Sequence, residues 1–442
     1  MSVEERPLQV LLFCNRPSGS SDASTISEHI DAFAQYSKHK ITVWSSLKGL
    51  PTSEILKRFD CLIVHYSISF LSERYISRET LERIRSFKGL KIVFIQDEYR
   101  RVDFICMNLK YAGIHVLFSC APIEVARKMY AALSPGVEIH STLTGYVSDA
   151  CSSPAFKPYR DRGIDVGYRA RKLPFFLGRK GQEKFLIGEK FRILTKGMGL
   201  KVDISSRESD RLYGNDWIEF LGDCKATLGT DSGSSLIDFT GILEYRLHLY
   251  QAFKPWAKFE NLPPDLLEQD GVLEIQVISP RCFEAAKLGC AMIMFEGQYS
   301  GILKPDRHYV QLARDFSNLN EVIDKLKETE NMQAMIDRCY EDLIVSGKYS
   351  YRCFVEGFDE VLYASWNQVK GPPIERSLNL PENIPVLQNE AISATPVDRF
   401  RSYLGELFKV IPDWLRFLLV VTFLKGKYFS HLCSRNTQFL NK

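Results

Sequence analysis

Short apolar runs alternate with amphipathic segments along the first 150 or so residues of the chain. Five of these runs have the length and the content of branched or aromatic residues typical of buried strands: LQVLLFC, KITVWSS, CLIVHYS, KIVFIQD and HVLFSC. Each is followed by a polar or helix-like stretch, and short strands separated by helical patterns are typical of successive βαβ units. The pattern therefore predicts a parallel sheet covered by helices.

The same rhythm restarts in the second part of the chain. SSPAFKPYRDRG is rich in serine, proline and charge and predicts a linker, after which IDVGYRA, KVDISSR, ATLGTDS and CAMIMFE alternate again with helical segments. Residues 241–275 read as an aromatic, largely helical insertion, and 317–369 as helical. We therefore predict an α/β protein with two Rossmann-like parallel-sheet domains, residues 1–155 and 156–370, followed by a linker and an amphipathic tail over 371–442.

Composition and charge exclude several classes of protein. The chain has 442 residues, 45% of them hydrophobic and 25% charged, and its formal net charge of +3 gives no strong field for nucleic acid. Its 11 cysteines contain no CxxC pair, so we expect reduced thiols in a cytoplasmic protein rather than disulfides or a zinc site. The start MSVEERPLQV predicts no secretory signal. No run reaches the roughly 18 to 20 apolar residues of a membrane-spanning helix.

The last segment has the pattern of an amphipathic helix. In LGELFKVIPDWLRFLLVVTFLKGKYFSHL the apolar stretch from Trp414 to Leu424 is interrupted by Arg416 and followed by lysines. It is too short to span a bilayer, but around residues 400–430 it fits a helix lying in the membrane interface with its aromatic rings at headgroup level. A helix docked on the protein's own core explains the pattern equally well.

Ligands of open α/β sheets bind beyond the carboxyl ends of the strands, so the loops after the predicted strands are the first candidates for a site. After the first strand, NRPSGSSDAST offers backbone amides and a helix N-terminus to an anion or to sugar hydroxyls. We predict an acceptor-side loop here, with Gly19, Ser20, Asp22 and His29. A plain glycine–serine turn with a structural histidine is the alternative.

Two other strand ends in the first half carry titratable side chains. His65 follows CLIV, and Asp97 and Glu98 follow KIVFIQ, directly before a tyrosine and two arginines. Such groups could orient a hydroxyl or accept its proton, so Asp97, Glu98 and His65 are the predicted catalytic residues. For at least one of the two carboxylates, a helix cap with surface ion pairs is the structural alternative.

Basic side chains follow the first predicted strand of the second half. They are Arg169, Arg171, Lys172, Arg179 and Lys180 in GYRARKLPFFLGRKGQ. Guanidinium groups at this place would bind a diphosphate bidentately and offset the charge of a leaving group, whereas a solvated charged face is the alternative. The later loop GTDSGSSLID resembles a phosphate-binding loop but lacks the lysine and spacing of a P-loop. A GxGxxG fingerprint is absent too, which argues against a nicotinamide enzyme.

The stretch SPRCFEAAKLGCAMIMFEGQYSG places a carboxylate on a short helix that leads into a buried strand. Ser279 fits the N-cap of this helix and Pro280 its first position. Glu284 lies in the first turns beside small residues, where it can accept hydrogen bonds from vicinal hydroxyls such as those of a ribose. The loop EGQYSG supplies backbone amides at the carboxyl end of the next strand, where phosphates would bind.

From ISPRCFEAAKLGCAMIMFEGQYSGILKPDRHYVQL to YSYRCFVEGFDEVL, the chain resembles the C-terminal domain of GT-B glycosyltransferases of the group 1 or family 4 type. In that family an EAMACG segment carries the glutamate that binds the nucleotide ribose, and a glycine-containing loop after the next strand contacts the diphosphate and donor sugar. By position, Glu284 matches that glutamate and 297–301 match the loop. A weaker similarity extends the resemblance over residues 8–369. It implies two domains facing a cleft and a final helix near 350–369 that crosses back to the first domain.

The sequence departs from the family signature at one position. The family has a second glutamate seven residues before the first, where this chain has Val277; Glu274 is the nearest upstream carboxylate, and Asp231 could replace it from another loop. Together, the residue patterns and the resemblance assign to nucleotide-sugar binding the residues Glu284, Arg169, Arg171, Arg179, Lys180, Asp231, Ser232, Arg281, Gly297, Gln298, Tyr299, Ser300 and Gly301.

The predicted function is transfer of a sugar from a nucleotide-sugar donor on the second domain to an acceptor on the first. We expect no metal, because arginines and loop amides can offset the charge of the departing nucleoside diphosphate, and no cofactor besides the nucleotide-sugar co-substrate. The resemblance implies a retaining hexosyltransferase. The tail suggests a glycan or lipid-linked acceptor of bacterial polysaccharide or glycolipid biosynthesis, reached from the cytoplasmic face of the inner membrane.

Two alternatives stay open from the sequence. One is a non-catalytic nucleotide-sugar-binding scaffold of the same fold, which the missing glutamate at Val277 supports. The other is a nucleotide-sugar epimerase, in which Asp97, Glu98 and His65 would face the sugar ring as acid and base.

Overall fold

The computed structural model describes residues 6–17, 24–148 and 157–369. Gly19, Ser20 and Asp22 of the predicted acceptor-side loop lie outside the described residues. So do the first part of the predicted linker and the whole tail over 371–442. Within the described ranges, no helix is long and apolar enough to cross a membrane.

A six-stranded parallel sheet forms the first half. Its strands are β1 (Gln9–Cys14), β2 (Lys40–Ser45), β3 (Cys61–Val64), β4 (Leu90–Ile95), β5 (Val116–Ser119) and β6 (Glu138–Ser141). The helices along this part are α1 (Ser24–Tyr36), α2 (Ser53–Leu56), α3 (Arg78–Ser86), α4 (Val102–Ala112) and α5 (Ile123–Met129). The strand order is β2-β1-β3-β4-β5-β6, with every pair parallel. Every residue of β3 and β4 is buried, as expected for a parallel sheet covered on both faces.

A second parallel sheet, of five strands, forms the second half. Its strands are β7 (Ile164–Arg169), β8 (Val202–Ser205), β9 (Cys224–Gly229), β12 (Ala291–Phe295) and β13 (Val310–Leu312). The order is β13-β12-β9-β7-β8, again all parallel. A separate antiparallel pair consists of β10 (Ser232–Ser234) and β11 (Ile275–Val277). The helices here are α6 (Gly178–Leu194), α7 (Gly214–Asp223), α8 (Ile242–Phe253), α9 (Pro264–Leu267), α10 (Pro280–Lys287), α11 (Leu319–Lys327), α12 (Thr329–Tyr340) and α13 (Tyr351–Val369).

These sheets confirm the prediction of two Rossmann-like parallel-sheet domains. Every apolar run chosen from the sequence contains a strand of the predicted type. The strands that the pattern did not reveal, β6, β10, β11 and β13, have only three or four residues, and β6 and β10 are polar. The insertion is largely helical, as predicted, and its Leu247 and Phe259 pack with Phe175, which precedes α6, in a small separate core.

The last described helix returns to the first domain. Tyr351, Val355, Phe358 and Leu362 of α13 share one apolar core with β1, β3 and β4. Asp359 strengthens this contact by accepting hydrogen bonds from the end of α1. The crossing implied by the family resemblance is therefore confirmed, and the chain passes between the two domains twice.

Candidate nucleotide-sugar site

A cavity of about 760 Å³ lies at the carboxyl ends of β7 and β9. These strands are neighbours in the sheet, but the chain leaves β7 towards β8 on one side and leaves β9 towards β12 on the other. The loops therefore diverge here and leave a crevice, which is the usual ligand position in an open α/β sheet. Residues of the first domain and of the crossover, such as Glu28 and Tyr146, close the cavity from the opposite side.

Helix α10 carries the predicted ribose ligand into this cavity. The Ser279 hydroxyl accepts a hydrogen bond from the Arg281 amide at 3.4 Å, and Pro280 occupies the first position, so the helix begins as predicted. The Glu284 carboxylate accepts a hydrogen bond from Trp217 Nε1 at 2.8 Å and lines the cavity. Burial raises the pKa of Glu284, while Trp217 and Arg281 act against that rise. Its remaining lone pairs can accept the hydroxyls of a diol.

Seven basic residues line the same cavity: Arg169, Arg171, Lys184, Arg207, Arg211, Arg281 and Lys287. Arg207 and Arg211 pair with carboxylates of their own loop, and Lys287 donates to the Ser148 carbonyl. We take Arg171, Lys184 and Arg281 as the candidate diphosphate ligands. Arg171 is exposed to solvent. The Arg281 guanidinium lies 5.0 Å from the centre of the Trp217 ring, and its Nη1 donates to the carbonyl of Arg169 at 2.6 Å. Such a group of cations opposite a carboxylate fits a nucleoside diphosphate, with the diphosphate near the cations and the ribose near Glu284.

Lys184 was not among the residues chosen from the sequence. Its ammonium group donates to the hydroxyl of Ser232 at 3.2 Å, and Ser232 lines the cavity as well. Burial and the nearby Arg281 lower the pKa of Lys184 to about 8, although Asp97 and Asp231 act in the other direction. The available signal was its spacing: Lys184 follows Lys180 by four residues on α6, which places both on one helix face.

Of the other predicted basic residues, Lys172 is exposed and does not line the cavity, and three are held by the protein itself. Arg169 is only 13% exposed, bonds to Asp203 and the carbonyl of Asp210, and lies 4.2 Å from the Phe220 ring centre. Lys180 is buried within 3.4 Å of Asp231, and Arg179 pairs with Asp270 outside the cavity. Because their partners are already in place, we do not retain these three residues as diphosphate ligands.

Asp231 anchors the glycine-containing loop instead of facing the cavity. Its carboxylate accepts hydrogen bonds from the amides of Tyr299 at 2.9 Å and Gln298 at 3.3 Å. A Cβ at Gly297 would lie 2.2 Å from an Asp231 oxygen, so this close approach requires glycine. Ser300 accepts a hydrogen bond from the Ile278 amide. Two amides predicted to bind phosphate are therefore already bonded to a carboxylate.

The same loop borders a second cavity, of about 580 Å³, between the two domains. Gln298, Ser300 and Gly301 line it from the loop. Gln276 and Val277 of β11 line it as well, with Glu274 just before that strand. The end of β5, the start of α5 and the end of β6 form the opposite wall, and Tyr146 borders both cavities. The position where the family has its second glutamate thus lies at this cavity as Val277, and Glu274 is the carboxylate beside it.

Asp97 faces the second domain. It follows β4 with a left-handed backbone (φ 57°) and interacts with Lys184 and Arg171 across the domain boundary. Burial raises the pKa of Asp97, whereas Lys184, a hydrogen bond from Tyr99, and the charges of Arg100 and Arg171 lower it. Asp97 does not line the 760 Å³ cavity, but two of the cations that do line it are its neighbours.

Glu98 and His65 point into the first domain, which corrects their predicted role. Glu98 is 1% exposed and accepts hydrogen bonds from Ser119, Tyr130 and the Ala121 amide. Burial raises the pKa of Glu98 to about 7. A carboxylate enclosed by these donors cannot reach a sugar in the cleft.

The two predicted histidines form a buried pair. His65 Nδ1 accepts a hydrogen bond from the Ser67 amide, so His65 Nε2 carries the proton and donates to His29 Nδ1 at 2.9 Å. Burial lowers the pKa of both rings, and the His29 neighbour lowers that of His65 further. His29 packs among Phe33, Phe354 and other rings. Both histidines are therefore interior residues and not part of an acceptor loop.

The fold is similar to that of several solved glycosyltransferases. A glycosyltransferase from Rickettsia africae aligns with 82% of this chain and 99% of its own at 11% identity and a TM-score of 0.47. An alpha-glucosyltransferase in complex with UDP-glucose and DNA aligns with 81% of this chain and 100% of its own at 11% identity and 0.46. TarM aligns at 12% identity and 0.39, over 68% of this chain, which spans only 54% of TarM. No protein-family model and no curated protein matches the sequence.

At identities near 11% and TM-scores below 0.5, these similarities leave the activity to be argued from the site of this chain. What the described residues show is an α/β protein with two parallel-sheet domains, joined by a helix that returns to the first domain.

Proposed function

We propose that the protein is a glycosyltransferase that binds a nucleotide sugar in the 760 Å³ cavity and transfers the sugar to an acceptor held by the first domain. One observation carries the proposal. The crevice at the topological switch point of the second sheet combines a carboxylate suited to a diol, Glu284, with the three cations Arg171, Lys184 and Arg281.

In this proposal each group has a separate task. Glu284 accepts the ribose hydroxyls, and the three cations offset the negative charge that grows on the diphosphate as its bond to the sugar breaks, so that no metal is needed. Asp97 accepts the proton of the acceptor hydroxyl while the new glycosidic bond forms. Retention of configuration rests on the resemblance of the stretch around α10 to a retaining family. It requires the acceptor hydroxyl to attack the sugar from the face that the diphosphate leaves, because attack from the opposite face inverts the configuration.

The second cavity is the proposed place of the part of the acceptor beyond its reacting hydroxyl, because it adjoins the first at Tyr146 and has walls from both domains. The reacting hydroxyl must lie outside this cavity to reach Asp97, which lines neither cavity. Glu274 and Gln276 offer the second cavity hydrogen-bonding groups. We propose as acceptor a glycan or lipid-linked glycan of bacterial polysaccharide or glycolipid biosynthesis. Contact with the membrane surface would come from the tail, which lies outside the described residues.

One alternative function loses support and another keeps it. An epimerase needs an acid and a base around the sugar ring, but Glu98 and His65 are enclosed in the first domain. A non-catalytic nucleotide-sugar-binding scaffold remains a second candidate, favoured by Val277. The scaffold would bind the donor without ever releasing the sugar.

A thermal-shift titration of the full chain against UDP, GDP, ADP, CMP and their common sugar conjugates tests the proposal. A ligand at 100 times its Kd should add about 2.7 kcal/mol to the free energy of unfolding. We expect one nucleoside diphosphate to raise the Tm, while inorganic diphosphate alone raises it far less. If no nucleotide raises the Tm at millimolar concentration, the proposal is wrong. Turnover of the bound donor then separates the transferase from the scaffold.

Nucleotide affinity should decrease as the pH rises, because Lys184 loses its proton. The pKa of Lys184 in the free protein is about 8, so the ammonium group is charged at pH 7 and mostly neutral at pH 9.5. Because a bound diphosphate favours the charged form, the transition in the complex should lie above pH 8. Loss of one charge-assisted hydrogen bond weakens binding roughly 10-fold.

Isothermal titration with the preferred nucleoside diphosphate between pH 7 and 9.5 measures this dependence. The range lies above the phosphate ionisation near pH 6, so the ligand keeps its charge throughout. Lys184→Arg keeps its charge and should give a nearly constant Kd over the same range. An equally constant Kd in the wild type would show that Lys184 does not contact the diphosphate.

A further inference from the structure

The two domains are joined by a second set of contacts far along the chain from the crossover. Residues 99–103, which follow β4, meet residues 238–244, which begin the insertion of the second domain; we call this contact the clasp. The Asp238 amide donates to the Tyr99 carbonyl at 2.9 Å. The Asp238 carbonyl accepts a hydrogen bond from the Val102 amide at 3.1 Å, and the Phe239 carbonyl accepts one from the Asp103 amide at 3.0 Å. These bonds give partners to two amides at the start of α4, which have none within the helix.

An ion pair between the buried carboxylate of Glu244 and the partly exposed guanidinium of Arg100 strengthens the clasp. Arg100 donates to Glu244 through both Nε, at 3.0 Å, and Nη2. The Glu244 side chain is 5% exposed, and the Arg100 guanidinium also lies 5.0 Å from the Phe176 ring centre. Burial alone would raise the pKa of Glu244, but hydrogen bonds and charges of His248 and Arg100 lower it to about 2. The pair is therefore charged throughout the physiological pH range.

The backbone within the clasp and just before it, at Asp97, is held in an unfavourable conformation. Asp97 and Arg101 have φ of 57° and 50°, a left-handed region that non-glycine residues rarely adopt. The backbone of Gly241 lies close to the Arg101 side chain, since a Cβ at this position would be 3.0 Å from it. The φ of 91° at Gly241 also favours glycine. Such backbone conformations persist only where surrounding contacts impose them, and the contacts here come from the other domain.

Tyr99 connects the clasp to Asp97. It follows Asp97 by two residues, its carbonyl accepts a hydrogen bond from the Asp238 amide, and its ring stacks on Phe176 with centres 6.3 Å apart. The Tyr99 side chain also lowers the pKa of the Asp97 carboxyl. Asp97 in turn interacts with Lys184 across the domain boundary. The position of Asp97 relative to the proposed diphosphate site thus depends on contacts that the insertion supplies.

We propose that the clasp positions Asp97 against Lys184, which makes Arg100 and Glu244 positioning residues of the sugar-transfer step. This inference rests on the proposed function. No clasp residue lines either cavity, so the clasp should affect the reacting geometry and leave nucleotide binding intact. A displacement of a reacting group by about 1 Å can lower turnover by on the order of 100-fold.

Arg100→Gln and Glu244→Gln in the full chain test the proposal. We expect kcat to fall 10- to 100-fold in each variant, while the Kd of the preferred nucleoside diphosphate changes less than twofold. Because the two residues act as one unit, the double variant should be no slower than the slower single variant. Arg100→Lys should recover part of the loss. Arg246→Gln is the matched control, because Arg246 lies on the same helix and pairs with Asp265 inside the second domain.

Hydrogen exchange at the amides of Val102 and Asp103 reports the clasp without substrate and should become faster in both single variants and not in the control. Unchanged exchange, or faster exchange with unchanged kcat, overturns the proposal. A parallel loss of kcat, nucleotide affinity and Tm also overturns the proposal, because it indicates general destabilisation.

If the wild type binds no nucleotide, the proposed function is wrong, and the positioning role is wrong with it. If the wild type transfers sugar and the variants do so equally well, the positioning role alone fails.

Discussion

Glu284→Gln should weaken binding of the preferred nucleoside diphosphate by 10- to 100-fold. A hydrogen bond to a charged group contributes about 1.5–3 kcal/mol, and the carboxylate is proposed to accept two ribose hydroxyls. The amide keeps the size of the side chain and one oxygen acceptor, so Trp217 Nε1 retains its partner. The loss should appear in Kd, measured by isothermal titration or from the Tm shift.

The stability of the free protein separates this loss from misfolding. Burial raises the folded-state pKa of Glu284 above its unfolded value, so ionisation of the carboxyl lowers stability as the pH rises through that range. Removing the charge should therefore leave the Tm of the free protein unchanged or raise it at pH 7, while the nucleotide-induced shift is lost. Glu219→Gln is the matched control, since Glu219 is an exposed carboxylate on the helix of Trp217. Equal affinity of Glu284→Gln and wild type would refute the ribose assignment.

Asp97→Asn should lower turnover by about 10²- to 10⁴-fold, the usual contribution of a positioned general base. Nucleotide affinity should change little, because Asp97 does not line the 760 Å³ cavity. The side effect is predictable: Asp97 raises the pKa of Lys184, so its removal should move the pH-dependent loss of nucleotide binding to lower pH. Release of the nucleoside diphosphate from its sugar conjugate, with acceptor present, measures turnover.

Glu124→Gln serves as the control for Asp97→Asn, because Glu124 is an exposed carboxylate of the same domain, paired only with Arg127 on its own helix. Full turnover in Asp97→Asn would show that another group accepts the proton. In that case Glu274 at the second cavity becomes the first residue to substitute next.

Glu284 and Lys184 show which site residues could be predicted from the sequence and which could not. Glu284 could be chosen because its neighbours are local: the Ser279 cap, Pro280 and the following apolar strand are contiguous and form as predicted. Lys184 was missed because its importance comes from distant residues, with Ser232 48 positions away and Asp97 in the other domain. A lysine in the middle of a helix carries no sign of such neighbours in the local sequence.

Other residues were predicted as ligands from the sequence, but the structure shows that they are paired inside the protein. Arg169 and Asp231 lie at strand ends and Lys180 lies at the start of a helix, as the ligands of a phosphate site would, but each is paired inside the protein. Glu98 and His65 follow buried strands as a catalytic group would, but their side chains turn inwards to Ser119 and His29. Spacing along a loop does not determine which side of the sheet edge a side chain faces.

By itself, the sequence determined the two parallel-sheet domains, the helical insertion and the helix that presents Glu284. Those features follow from periodicity and capping over a few residues, where the burial of apolar side chains allows one regular structure. Only the tertiary structure decided which cations line the cavity, which carboxylates hold loops together, and that the insertion reaches across to the segment after Asp97. Those outcomes depend on residues that are distant in sequence, and a charged side chain is free for a ligand only when no nearby partner of the fold neutralises it.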